Sequence, residues 1–94
     1  MNPQYMTTDV INRMKKCQGE TFFTIRGKRF HFFVKDDTHV IISNGTKVYT
    51  LQADVIGRAL VCVPLVNMAQ ISDLPHASYV YAILMDERIR YGLW

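Results

Sequence analysis

The stretch from Thr21 to Leu51 constrains the fold of this chain more than any other, because it reads as two β-hairpins in succession. Asn44-Gly45 lies between His39-Val-Ile-Ile-Ser43 and Thr46-Lys-Val-Tyr-Thr50, and Asn-Gly supplies the two φ > 0 residues of a type I′ turn. Upstream, Gly27-Lys28 separates Thr21-Phe-Phe-Thr-Ile-Arg26 from Arg29-Phe-His-Phe-Phe-Val34, with Gly at the first central position that a type II′ turn requires. An antiparallel meander of three strands, or four if every arm pairs, is the expected centre of the molecule.

Register decides what such a meander presents to its surroundings. A two-residue loop at Gly27-Lys28 sets Arg26 against Arg29, Ile25 against Phe30, Thr24 against His31, Phe23 against Phe32 and Phe22 against Phe33. Phe23, Ile25, Phe30, Phe32 and Val34 then form an apolar face. Phe22, Thr24, Arg26, Arg29, His31, Phe33 and Lys35 share the opposite one, a mixture of cations and rings that a helix-covered core would not tolerate. That second face is expected to meet solvent or a partner.

The polar turn Asp36-Asp37-Thr38 leaves a parity choice for the second hairpin. An even-numbered loop sends His39, Ile41 and Val48 to the core, whereas an odd one sends Val40, Ile42, Tyr49 and Leu51 there. The odd loop buries more hydrocarbon and is favoured, although it directs Lys47 inward near the turn, where its stem can snorkel out.

Helical periodicity flanks the strands. Thr7-Thr8-Asp9 offers a cap and an acidic first turn, Val10, Ile11, Met14 and Cys17 recur at helical spacing, and Gly19 follows Lys15 and Lys16, predicting a helix over 8–18. A second helix is expected over 51–63, capped by Thr50, carrying a stripe of Val55, Ile56, Ala59, Leu60 and Val63, and stopped by Pro64. Gly57 inside it points to close packing against another backbone. Residues 64–77 form a long apolar connection pinned by Leu65, Val66, Met68, Ile71 and Leu74. The last helix, 78–90 with Ser78 as its cap, is apolar nearly all round from Tyr79 to Met85. A chain of this length has little else to cover it, so Tyr79, Tyr81, Ile83 and Leu84 are expected at a subunit interface.

Size and composition fit a single α+β domain over 1–94, of order α-βββ-α-α. Hydrophobic residues at 49% with 20% charged can build one core without disulfides, and the net charge of +3 permits an anionic partner. Cys17 and Cys62 fall on helical stripes, far apart and with no zinc-ligand spacing, which reads as two buried thiols. The Met-Asn-Pro-Gln-Tyr-Met start lacks the features of a signal peptide, and no apolar run approaches the ~20 residues of a membrane span. A cytoplasmic protein that does not meet a membrane is the expectation.

No catalytic signature is visible. His31, His39 and His76 stand apart from any nucleophile or carboxylate at diagnostic spacing, and Asp36-Asp37 and Asp86-Glu87 read as turn chemistry and a solvated helix end. Enzyme function is disfavoured, and no cofactor or metal is expected. Single-strand binders pair cations that neutralise phosphates with rings on which bases stack, and Phe22, Arg26, Lys28, Arg29, His31, Phe33 and Lys35 match that logic. The sequence therefore reads as a small binding module for single-stranded DNA or RNA. Its alternative is a homo-oligomeric interaction protein that pairs through the last helix or a free strand edge.

By element order alone, helix, three antiparallel strands, helix, residues 8–63 resemble double-stranded-RNA-binding domains, and small toxin ribonucleases of similar fold use a strand histidine as catalyst. Leu51-Gln-Ala-Asp-Val-Ile56 lacks the basic cluster of those domains, and the toxins' Gly-Ser-His type motif is missing, so the resemblance assigns no residue a role. It supplies a third alternative, a small ribonuclease-like protein.

Overall fold

A four-stranded antiparallel sheet carries helices against one face in the computed structural model, which describes residues 7–94. Residues 1–6, read above for signal-peptide features, lie outside the described residues. The elements are α1 (Thr7–Cys17), β1 (Phe22–Phe23), β2 (Arg29–Lys35), β3 (His39–Ser43), β4 (Val48–Gln52), α2 (Ala53–Leu60), a 3-10 turn (Met68–Ile71), α3 (Ala77–Met85) and α4 (Glu87–Arg90). The strands lie in sequence order across the sheet, giving the α+β class that the patterning predicts. β1 is the fourth strand and only two residues long.

The periodicity of α1 survives intact: Val10, Ile11, Met14 and Cys17 are buried, and the helix packs on α2, α4 and β2. Its exit is fixed by hydrogen bonds to β2. Gly19, at φ 83°, donates its N–H to Phe32 O over 2.9 Å, and Gln18 Oε1 accepts from Val34 N at 2.9 Å. These bonds cover the edge of β2 that two-residue β1 is too short to reach.

The first hairpin departs from the expected register by three residues, an odd number. Phe22 pairs with Phe30 and Phe23 with Arg29, while Thr24 N donates to Lys28 O and Gly27 N to Thr24 O. The loop is thus Ile25-Arg26-Gly27, three residues ending in a left-handed Gly27 at φ 83°, the pattern of a type I turn closed by a glycine bulge. With a side-chain period of two, this slip exchanges the faces of the first arm. Phe22 goes into the core at 1% exposure, whereas Phe23 and Ile25, expected inside, stand 59% and 65% exposed. Thr24, expected outside, is buried, and its Oγ1 accepts from Lys28 N at 3.1 Å.

Arg88 reinforces that choice from the other side of the molecule. Its guanidinium lies 3.8 Å over the Phe22 ring, donates to Thr21 O and Glu20 Oε1 at 3.0 Å each, and grips both carboxylate oxygens of Asp86 at 2.8 Å. These hydrogen bonds hold the Asp86 carboxyl below its ordinary range against an opposing effect of burial, and they raise the Arg88 pKa. One planar side chain therefore ties α4 to the segment entering β1.

The second hairpin follows the odd-loop expectation. Lys35 pairs with His39, leaving Asp36-Asp37-Thr38 as the connection, and Val40, Ile42 and Leu51 are buried with Tyr49 packed against them. Asp36 and Asp37 both adopt positive φ, 55° and 59°, and Thr38 N donates to Lys35 O. An ion pair from Lys15 to Asp37 fastens this turn to α1. The β3–β4 turn is centred on Gly45-Thr46 instead of Asn44-Gly45: Ser43 pairs with Val48, Gly45 alone has positive φ, and Asn44 Oδ1 accepts from Thr46 N, Thr46 Oγ1 and Lys47 N. The displacement is two residues along the pairing, so the faces stay as expected.

The C-terminal half differs more. Thr50 lies within β4, and α2 begins after Gln52, which makes no side-chain capping bond, and ends at Leu60. Leu65 and Ile71 pin the long connection to the core, whereas Val66 is exposed. The expected single helix over 78–90 is two helices, because Asp86 takes an extended conformation (φ −77°, ψ 136°) and caps α4 by accepting from Arg88 N at 2.9 Å. His76, not Ser78, precedes α3. Tyr79, Ile83 and Leu84 are buried within the single chain, so the expectation that a second subunit must cover them is corrected; Tyr81 is half-buried. α3 packs on the 3-10 turn, α4 and β1, and these supply the covering that helical periodicity alone did not reveal.

Candidate functional site

One face of the sheet is left without a helix. Cross-strand partners share a face, so the pairings His31 with Ser43, Phe33 with Ile41 and Lys35 with His39 place these six side chains together. Phe23 and Arg29 continue the face on the β1 side, and Val48, Thr50 and Gln52 on the β4 side. Phe33 is 48% exposed, and His31 meets its ring edge to face at 5.6 Å.

The sequence-derived residues divide over this surface. Arg29, His31, Phe33 and Lys35 stand in one outward row on β2, as alternation requires. Arg26 and Lys28 lie in the β1–β2 turn, exposed. Phe22 is withdrawn: buried between Phe30, Phe32 and Arg88, its ring cannot stack on a base. Phe23 takes its place outside. The signal that would have found it is Gly27, which fits the last position of a three-residue loop as well as the first of a two-residue one.

The turns bring together residues that strand alternation did not. The start of β2 lies beside the end of β3, so the β1–β2 and β3–β4 turns meet at one end of the sheet. A recess of about 430 Å³ there is lined by Gly27, Lys28, Arg29, Asn44 and Thr46. A neighbouring recess of about 400 Å³ is lined by Thr21, Arg29, Phe30, His31, Ser43, Asn44 and Gly45. Arg29 and Asn44 border both. Asn44 is held by its three turn hydrogen bonds and by donating Nδ2–H to Tyr79 Oη at 3.1 Å, which anchors this end to α3.

Charge is asymmetric in the same direction. The ion pairs join Lys15 to Asp37, Arg58 to Asp54, Arg88 to Glu20 and Asp86, and Arg90 to Glu87. Among the described residues, Arg13, Lys16, Arg26, Lys28, Arg29, Lys35 and Lys47 make no ion pair, and four of these seven, Arg26, Lys28, Arg29 and Lys47, belong to the turn end. Lys47 was not among the sequence candidates.

The remaining chemistry is dispersed. Thr38 Oγ1 and His39 Nδ1 lie 2.9 Å apart, and the His76 ring packs 4.7 Å from that of Tyr49. Cys17 is a buried free thiol whose pKa burial raises, and Cys62 is a half-buried one. Among the described residues no three His, Cys, Asp or Glu side chains converge as metal ligands do, and no helix is long and apolar enough to cross a membrane. The fold and its site define an antiparallel α+β protein with one open, cationic and aromatic sheet face. Comparisons with protein-family models, with curated proteins and with solved structures find no match to the chain.

Proposed function

We propose that this protein binds single-stranded nucleic acid on the open face of its sheet. The observation that carries the reading is the outward row Arg29, His31, Phe33 and Lys35, in which two cations without ion pairs flank the half-buried His31 ring and the exposed Phe33 ring. Cations neutralise phosphates, and unpaired bases stack on rings for roughly 1–3 kcal/mol each. A duplex hides its base faces and would use only the charges. The setting is a reducing cytoplasm, in which the thiols of Cys17 and Cys62 stay free.

Fluorescence anisotropy of a labelled oligouridylate of about ten nucleotides tests the reading. Three or four phosphate contacts predict a slope of about −2 to −3 in log K against log salt. Phe33→Ala is expected to weaken binding by roughly 1–3 kcal/mol, and Arg58→Glu, on exposed α2, to have a small effect. Equal binding of a duplex, or equal losses from Phe33→Ala and Arg58→Glu, would leave only a diffuse effect of net charge.

A second reading, self-association through β4, has one observation in its favour. Asn44 N bonds Lys47 O and Ala53 N bonds Thr38 O, so by alternation Val48, Thr50 and Gln52 turn their backbone N–H and C=O groups away from β3, toward the free edge. That edge carries no charge, and Val48 on it is 66% exposed. Light scattering should then return a dimer mass that Thr50→Pro converts to monomer, since proline removes an outward N–H and spares the β3 ladder. A monomer mass for the wild type at high concentration eliminates this reading.

A further inference from the structure

We infer that the backbone of the bound strand crosses the turn end of the sheet, with successive phosphates seated in the two recesses on either side of Arg29, and that Lys28 is a phosphate ligand. The inference rests on the proposed function and locates its site more narrowly. Three observations converge on it. The recesses of about 430 Å³ and 400 Å³ adjoin and share Arg29 and Asn44, so one chain can occupy both in passing. Lys28 and Arg29 line them, and neither is committed to a carboxylate. The floor is fixed before any ligand arrives, because Asn44 is hydrogen-bonded to its own turn and to Tyr79 while Gly27 N is bonded to Thr24 O. A preformed polar floor spares the ligand the cost of ordering the turns.

The same geometry favours the turn end over the far end of the face. Lys35 lies at the other end of β2, beside Asp36 and Asp37, where carboxylates repel a phosphate chain. His31 and Phe33 lie between, on the face leading away from the recesses, and are placed to receive the bases of a strand whose phosphates stay at the turns.

The test compares Lys28→Gln, Arg29→Gln and Lys35→Gln, all at exposed positions whose side chains make no hydrogen bond among the described residues, with melting curves to verify folding. Binding of the labelled oligouridylate is followed over a salt series. Lys28→Gln and Arg29→Gln are each expected to flatten the slope by about 0.7 and to weaken binding about fivefold at about 0.1 M salt, while Lys35→Gln, at the far end of the face, has a clearly smaller effect on both. If the wild type binds but Lys35→Gln costs as much as Lys28→Gln, the strand runs along the sheet: the inference fails and the proposed function stands. If the wild type does not bind the oligonucleotide, or binds only anionic lipid vesicles, the function itself fails and takes the inference with it.

Discussion

Phe22 and Phe23 are adjacent, chemically identical side chains that end up in opposite environments, one sealed under Arg88 and the other facing solvent. Truncating them should separate the two roles. Phe22→Ala opens a cavity among Phe30, Phe32 and the Arg88 guanidinium and is expected to cost about 3–5 kcal/mol in a denaturant titration. Phe23→Ala should stay within about 0.5 kcal/mol, and its effect should appear in oligonucleotide affinity instead. Equal stability losses at the two positions would refute the three-residue slip in the first hairpin. The slip itself was not legible, because Phe22 with Thr24 and Phe23 with Ile25 both yield an acceptable arm. The deciding contacts come from Arg88, more than sixty residues downstream.

At the scale of elements, the contact between α1 and α2 explains an interior glycine. A Cβ at Gly57 would stand 2.7 Å from Thr7 Oγ1, so the start of α1 occupies the space that any larger residue needs. The close approach expected from Gly57 is present, against a side chain and not a backbone. Gly57→Ala should therefore destabilise the protein even though alanine is the better helix former. In a Thr7→Ala background the obstruction is gone and the same change should stabilise by about 1 kcal/mol, a sign reversal that a double-mutant cycle reads directly. Additive effects would mean the helices do not meet at this point. The break at Asp86 is the counterpart in the C-terminal half. Hydrophobic periodicity ran through it, yet a capping carboxylate clamped by Arg88 wins locally over helix continuity.

For the whole molecule, the Arg88 cluster joins the last helix to the entry of the sheet, and its stability should follow pH. The Asp86 carboxyl is depressed below its unfolded value of about 3.9, chiefly by its hydrogen bonds from Arg88. Its contribution is thus fully present above that value and is lost as pH falls through the lower, folded one. Asp86→Asn retains a capping oxygen but not the charge. At about pH 7 it should be less stable than the wild type by about 1–2 kcal/mol, and the gap should narrow progressively below about pH 4. A gap that stays constant into acid would mean that the cap, and not the ion pair, is what matters.

Alternation of side chains along single strands is a local property, set by the period of two, and it was enough to determine the α+β class, the inward row Phe30, Phe32, Val40, Ile42 and Leu51, and the outward row Arg29, His31, Phe33 and Lys35. Turn chemistry was readable only up to an offset. Two residues of error at Asn44-Gly45 left every face unchanged, whereas three, an odd number, at Gly27 exchanged Phe22 for Phe23. The covering of α3, the break at Asp86 and the meeting of Lys28 and Arg29 with Asn44 and Thr46 were decided by tertiary structure. Each depends on segments distant in sequence meeting in space, and periodicity along a chain carries no information about which of its ends will touch.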